Sequence, residues 1–141
     1  VVKEHGVRTK ETTGFKVVRA ISLDLACTDA SGAEKVLGGF ANPEDRAAKI
    51  LQVTLTYAAA ALNCALDVGL ANNITTKGVD FMADVDNTSA GATTKYTGAT
   101  ETGVHKTLAK AGAANSCITV NQGAQNKTTE VSLMVLLGYE Y

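Results

Sequence analysis

The chain has no tryptophan, one proline and only 5% aromatic residues. That speaks against an aromatic-rich binding cleft, and sugar platforms in particular are built on exposed Trp and Tyr. Of the tyrosines Tyr57, Tyr96, Tyr139 and Tyr141, only Tyr96 falls in an obvious loop. Net charge is also missing, since 13 Lys and Arg against 14 Asp and Glu give −1 at pH 7. No strong field therefore argues for nucleic acid or an anionic membrane as partner. No apolar run approaches the ~20 residues of a membrane helix. No secretory leader is visible, although the first residue is Val1 rather than Met, which leaves a preceding segment open.

The three cysteines, Cys27, Cys64 and Cys117, are odd in number and widely spaced. They make a poor disulfide framework, and no paired CxxC with a nearby histidine offers a metal site. Small buried hydrophobes are the expectation for all three, in a reducing cytosol. Gly-x-Ser-x-Gly, GxGxxG, Walker A and HExxH patterns are all missing. His5 and His105 stand far apart and read as surface residues. No catalytic residue, cofactor or metal is expected, and the chain is not read as an enzyme.

Apolar residues make up 45% of the chain and charged residues 19%, which is the balance of a globular protein. A length of 141 residues suits one domain with a core of its own. Residues 1–14 are polar, without sustained period, and read as an extended N-terminal arm. Its basic residues Lys3, Arg8 and Lys10 are diluted by Glu4 and Glu11. Residues 15–141 form the domain.

Period-two alternation dominates that domain. From Phe15 to Cys27, Ile21, Leu23, Leu25 and Cys27 share one phase. Lys35-Val36-Leu37 reads as a short strand stopped by Gly38-Gly39, and Asn42-Pro43-Glu44-Asp45 as a turn. From Lys49 to Tyr57, Leu51, Val53, Leu55 and Tyr57 point one way. Beyond a small-residue bend at 58–61, Leu62, Cys64, Leu66 and Val68 alternate again, so a hairpin with the preceding strand is predicted. Residues 72–78 are loop; 79–85 are one helical turn or a short strand; 86–103 read as a long polar loop. Short strands follow at 105–109 and 117–120.

In the last strand Val131, Leu133, Val135, Leu137 and Tyr139 form one face. The other face carries Ser132, Met134, Leu136 and Gly138, which is unusually apolar for an outward face. Cover from another subunit or from the arm is therefore expected, with Met134 and Leu136 as candidate interface residues. Short strands at regular spacing indicate an antiparallel β-sandwich or barrel.

Two weaker patterns have bland explanations. Asp80, Asp84, Asp86 and Asn87 start like a calcium loop but lack its glycine and distal glutamate in register. Turn-forming, solvated carboxylates account for them. The sequons at Asn73, Asn87 and Asn126 are expected by chance in an Asn/Thr-rich chain and read as turns.

The order Gly38-Gly39-Phe40-Ala41-Asn42-Pro43-Glu44-Asp45, then Ala65-Leu66-Asp67-Val68-Gly69, then Ala71 to Thr76 and Ala83 to Gly91, closing on Val135-Leu136-Leu137-Gly138-Tyr139, resembles small structural proteins of tailed bacteriophages. The resemblance spans about residues 36–141 and rests on packing and turn residues, not on chemistry. It implies an all-β, jelly-roll-like sandwich acting as a capsid decoration or head-accessory protein. It implies location on the virion surface, the major capsid protein as partner, and a homo-oligomer, often a trimer. Head fibre, tail or filament subunits and carbohydrate-binding modules are the alternatives. For an arm that adds a strand to a neighbour's sheet, the candidate interface residues are Val1, Val2, Val7 and Arg8, with Phe15 at the root.

Overall fold

A computed structural model describes residues 17–27, 34–57, 61–87, 93–96, 106–123 and 129–140, with side chains at all of these except 61–64, 84–87, 93–96 and 129. Among the described residues every regular element is a strand: β1 Val17–Cys27, β2 Lys35–Ala41, β3 Ala48–Tyr57, β4 Ala61–Ala71, β5 Val79–Asn87, β6 Thr93–Tyr96, β7 Lys106–Leu108, β8 Cys117–Gln122 and β9 Thr129–Tyr139. They form two antiparallel sheets. Sheet A runs β1-β9-β3-β6, with β7 also on β3; sheet B runs β2-β8-β4-β5. The pairings nest along the chain: β4 with β5, β3 with β6, β2 with β8, β1 with β9. The molecule is one long hairpin wound so that successive parts fall in different sheets.

The alternating patterns meet between the sheets. Sheet A contributes Leu25, Cys27, Val53, Leu55, Tyr57, Val131, Leu133, Val135, Leu137 and Tyr139 to the core, and sheet B contributes Leu66, Val68, Phe81, Met82, Ile118 and Val120. Burying each large side chain is worth roughly 1.5–3 kcal/mol, and in a sheet every second residue can do so. The expected phases of β1 and β9 are those observed. Cys27 and Cys117 are buried and in no disulfide, as expected; the Cys64 side chain lies outside the described residues.

Four local expectations are corrected. First, Gly38-Gly39 does not stop β2, which continues to Ala41 through a bulge between Val36 and Gly38. A Cβ on Gly39 would stand 2.2 Å from the Ile118 carbonyl oxygen, so glycine here permits close strand contact rather than ending the strand. Second, β3 carries a bulge between Ile50 and Gln52. The extra residue switches the phase, so Ile50 is in the core while Leu51 is only partly covered. Third, β3 and β4 are not a hairpin, because they lie in different sheets. Alternation reports a buried face but not the strand that sits alongside. Fourth, residues 79–87 are strand throughout, and Thr93–Tyr96, read as loop, pairs with β3.

The turn after β2 is fixed by a buried asparagine. The Asn42 N–H donates to the Ser116 carbonyl at 2.8 Å. Its Nδ2 donates to the carbonyls of Arg46 and Ala109, both at 2.9 Å. Its Oδ1 accepts from the Glu44 N–H at 3.0 Å and the Tyr139 hydroxyl at 2.6 Å. Asn42 is 2% exposed, and each polar group of its side chain is matched, as burial demands. One residue thus ties the ends of β2 and β9 to the segments beside β3 and β7.

Candidate interaction surface

The outward face of sheet A follows from the register, because residues paired across antiparallel strands share a face. Crossing β1, β9 and β3, one row is Ala20, Leu136 and Gln52, and the next is Ser22, Met134 and Thr54. At one end lie Val18, Gly138 and Lys49; at the other, Asp24, Ser132 and Thr56. Glu130, paired with Ala26, stands one row further.

Met134, Leu136 and Leu51 are partly exposed, and none is among the residues packed against the core. Beside Met134 and Leu136, β1 and β3 place Ala20, Ser22, Gln52 and Thr54, and Lys95 of β6 pairs with Thr54. Gln52 Nε2 donates to Thr54 Oγ1 at 3.2 Å, and Ser132 Oγ donates to Asp24 Oδ1 at 3.1 Å. Lys49 Nζ donates to Thr107 Oγ1 at the opposite end. An open cleft of about 420 Å³ is lined by Asp24, Leu25, Ala26, Thr56, Glu130, Val131 and Ser132. The centre of the face on β1, β9 and β3 is therefore uncharged, with Lys95 of β6 paired to Thr54 in the Met134 row, acids at one end and Lys49 at the other. Such a face suits a protein surface better than a small polar ligand.

Sheet B differs on its outward side. All six residues of β8 are buried. Thr119 pairs with Gly39 on β2 and Gly69 on β4, while Cys117 pairs with Ala41 and Ala71. Thr119 Oγ1 is buried without a hydrogen-bond partner.

At the β4–β5 side, Lys77 Nζ lies 3.5 Å from Asp67, 3.6 Å from Asp80 and 3.9 Å from Glu34. The Asp80 carboxyl is pushed above its ordinary range, chiefly by burial and then by the Asp67 charge, with Lys77 opposing. Lys77 is held above its ordinary value, mainly by Asp80. Asp84, Asp86 and Asn87 belong to β5, so the loop that a calcium-site reading requires is replaced by extended strand. Asn73 behaves as the turn residue it resembled: its Oδ1 accepts from the Thr75 N–H at 3.0 Å and the Thr75 hydroxyl at 2.9 Å.

Of the expected interface residues, Met134 and Leu136 are placed together on the outward face of sheet A. Val1, Val2, Val7, Arg8 and Phe15 lie outside the described residues, as do both histidines. The bulge at Leu51, which shifts the phase of β3, leaves no mark in the alternation. In the Leu66-Asp67-Val68-Gly69 motif, Leu66 and Val68 fill the core and Asp67 meets Lys77. At Gly69 a Cβ would stand 2.9 Å from the Val79 carbonyl oxygen. The motif is packing and close approach throughout.

No family model matches the chain, and no curated protein matches it. Among solved structures, a chain in the cyanophage Pam1 capsid asymmetric unit is 17% identical, with a TM-score of 0.50, over 86% of this chain and 84% of that one. A chain of the Ralstonia phage GP4 capsid is 17% identical, with a TM-score of 0.49, over 90% and 87%. A chain of the disulfide-linked pili of Bacillus endospore appendages is 10% identical, with a TM-score of 0.41, over 88% and 90%. The likeness to the Pam1 chain is one of fold and spans most of both molecules.

Proposed function

We propose that this protein is a structural component of a bacteriophage particle that binds the outer surface of the capsid as a decoration protein. The observation that carries the reading is the two-sheet fold shared with a chain of the cyanophage Pam1 capsid asymmetric unit over most of both chains. The nested pairing of β1 with β9, β2 with β8, β3 with β6 and β4 with β5 supports a jelly-roll-like winding, an architecture common in capsid domains. The chain's role in this reading is mechanical and not catalytic. It adds buried area between capsid subunits, and many weak contacts per particle give avidity.

The major capsid protein is the partner. Residues 1–14, with Val1, Val2, Val7 and Arg8, extend the contact by adding a strand to a neighbouring sheet edge, and Phe15 anchors the root. The test uses particles whose gene for this chain is deleted. They should release their genome at lower temperature than wild-type particles, and added purified protein should restore them. Protein lacking residues 1–12 should restore them less well. Deletion particles as heat-stable as wild type would refute the decoration role, and full rescue by the truncated protein would remove the arm from it.

A further inference from the structure

One end of the sandwich gathers the exposed apolar side chains. Val17 of β1 pairs there with Tyr139 of β9, and Lys49 near the start of β3 pairs with Gly138. Ala41 of β2 and Ala71 of β4 both pair with Cys117 of β8, and the Tyr139 hydroxyl on Asn42 joins the two sheets at this end. The turns 42–47, 72–78 and 109–116 therefore lie here together. Val17, Val18, Ile74 and Val79 are the exposed large apolar side chains among the described residues, and all four belong to this end. The segments that join strands at the opposite end, 28–33, 58–60, 88–92 and 123–128, contain no Val, Ile, Leu, Met, Phe or Tyr.

We infer that the domain docks on the major capsid protein by this end, an assignment that rests on the decoration reading above. Residues 1–16 precede Val17 and so join the domain here. A partner that holds the arm must lie within reach of Val17, which places the capsid at the same end as the exposed side chains. β1 and β5 are edge strands on opposite sides of their sheets. Val17 and Val18 therefore mark one corner of the end, and Ile74 and Val79 the far one. Apolar anchors at two separated corners, with polar turns between them, fix the orientation of a docked domain.

The turns between those corners are held in advance. The Ala111 N–H donates to the Glu44 carbonyl and the Ala109 N–H to the Asn115 carbonyl, both at 3.0 Å. The Asn115 N–H donates to Asn72 Oδ1 at 2.9 Å, and Arg19 Nη1 lies 3.1 Å from Glu44 Oε2. A surface fixed beforehand loses little loop freedom on binding. Its size also explains the arm. Four strands ~4.8 Å apart in each of two sheets ~10 Å apart present an end of roughly 400 Å² once side chains are added, about half of one partner's share of a standard interface. Residues 1–16, up to ~50 Å long when extended, supply the remainder.

Capsids from particles that lack this chain, sedimented with purified full-length variants, test the assignment. Ile74→Asp and Val18→Asp should each weaken binding about 10-fold or more, and Ile74→Ala and Val18→Ala about 3-fold. All four should keep the circular dichroism and melting midpoint of the wild type, because both side chains are exposed. Met134→Asp, on the outward face of sheet A, should leave capsid binding unchanged.

Binding that survives Ile74→Asp and Val18→Asp would overturn this end as the docking surface and leave the decoration reading standing. Loss of binding on Met134→Asp with the other variants unaffected would do the same and move the contact to sheet A. A wild-type chain that ignores capsids would overturn both readings. A wild-type dimer in sedimentation equilibrium that Ile74→Asp dissolves would give the end to a second copy and overturn the proposal.

Discussion

The two outward faces of the sandwich differ more than their strands' sequences suggest. On sheet A, the central strand β9 turns Met134 and Leu136 outward, and both remain partly exposed. On sheet B, the central strand β8 has no exposed residue on either side; its outward Thr119 sits between two glycines of the adjacent strands. The central strand of sheet B is thus covered on both sides, whereas that of sheet A leaves Met134 and Leu136 partly exposed.

Substitutions at adjacent positions should break this contrast most visibly. Leu137→Ala empties a site with 0% exposure and should cost about 2–5 kcal/mol in denaturant unfolding. Leu136→Ala, one residue earlier on the outward face, should cost under about 1 kcal/mol in the monomer. Equal costs would mean that the outer face is core.

Gly39→Val comes next. Its Cβ would be forced onto the Ile118 backbone, and the strain should cost about 1–3 kcal/mol or more. A neutral result by thermal melting would show that β2 does not lie close to β8. Thr119→Val should have the opposite sign, since it removes a buried hydroxyl that lacks a partner. A gain of about 1 kcal/mol is expected, and a loss of that size would reveal an unrecognised hydrogen bond.

The smallest effect concerns pH. A carboxyl whose folded pKa is raised, as at Asp80, contributes stability below its unfolded value and loses it as pH rises through the folded value. Ionised Asp80 is therefore a slight liability at neutral pH. Asp80→Asn should raise the melting midpoint at pH 7 and leave it unchanged near pH 3. Equal shifts at both pH values would contradict the sign.

What the sequence made legible was whatever depends on a single strand. The phases of β1 and β9 and the buried Leu66 and Val68 of β4 followed from alternation, because each strand has one face in the core. Features that depend on a neighbour were hidden. Gly39 looks like a strand terminator until β8 is seen beside it. The bulge at Leu51 reverses a phase that Leu51, Val53 and Leu55 seemed to set together. Thr93–Tyr96 has no alternating apolar residues and becomes a strand only through its pairing with β3. Asn42 read as a turn residue, yet its bonds to Ala109 and Tyr139 join segments far apart in the chain. Of the candidate surface, Met134 and Leu136 were visible as apolar residues in the wrong phase. Which charged residues share that face, Lys49, Lys95 and Asp24, required the register of four strands.

The most direct test of the account is cosedimentation of the purified chain with capsids of the virus whose genome encodes it. Binding that saturates at a fixed copy number per particle is the predicted result. A chain that stays in the supernatant at every concentration, or that polymerises without regard to capsids, would contradict it.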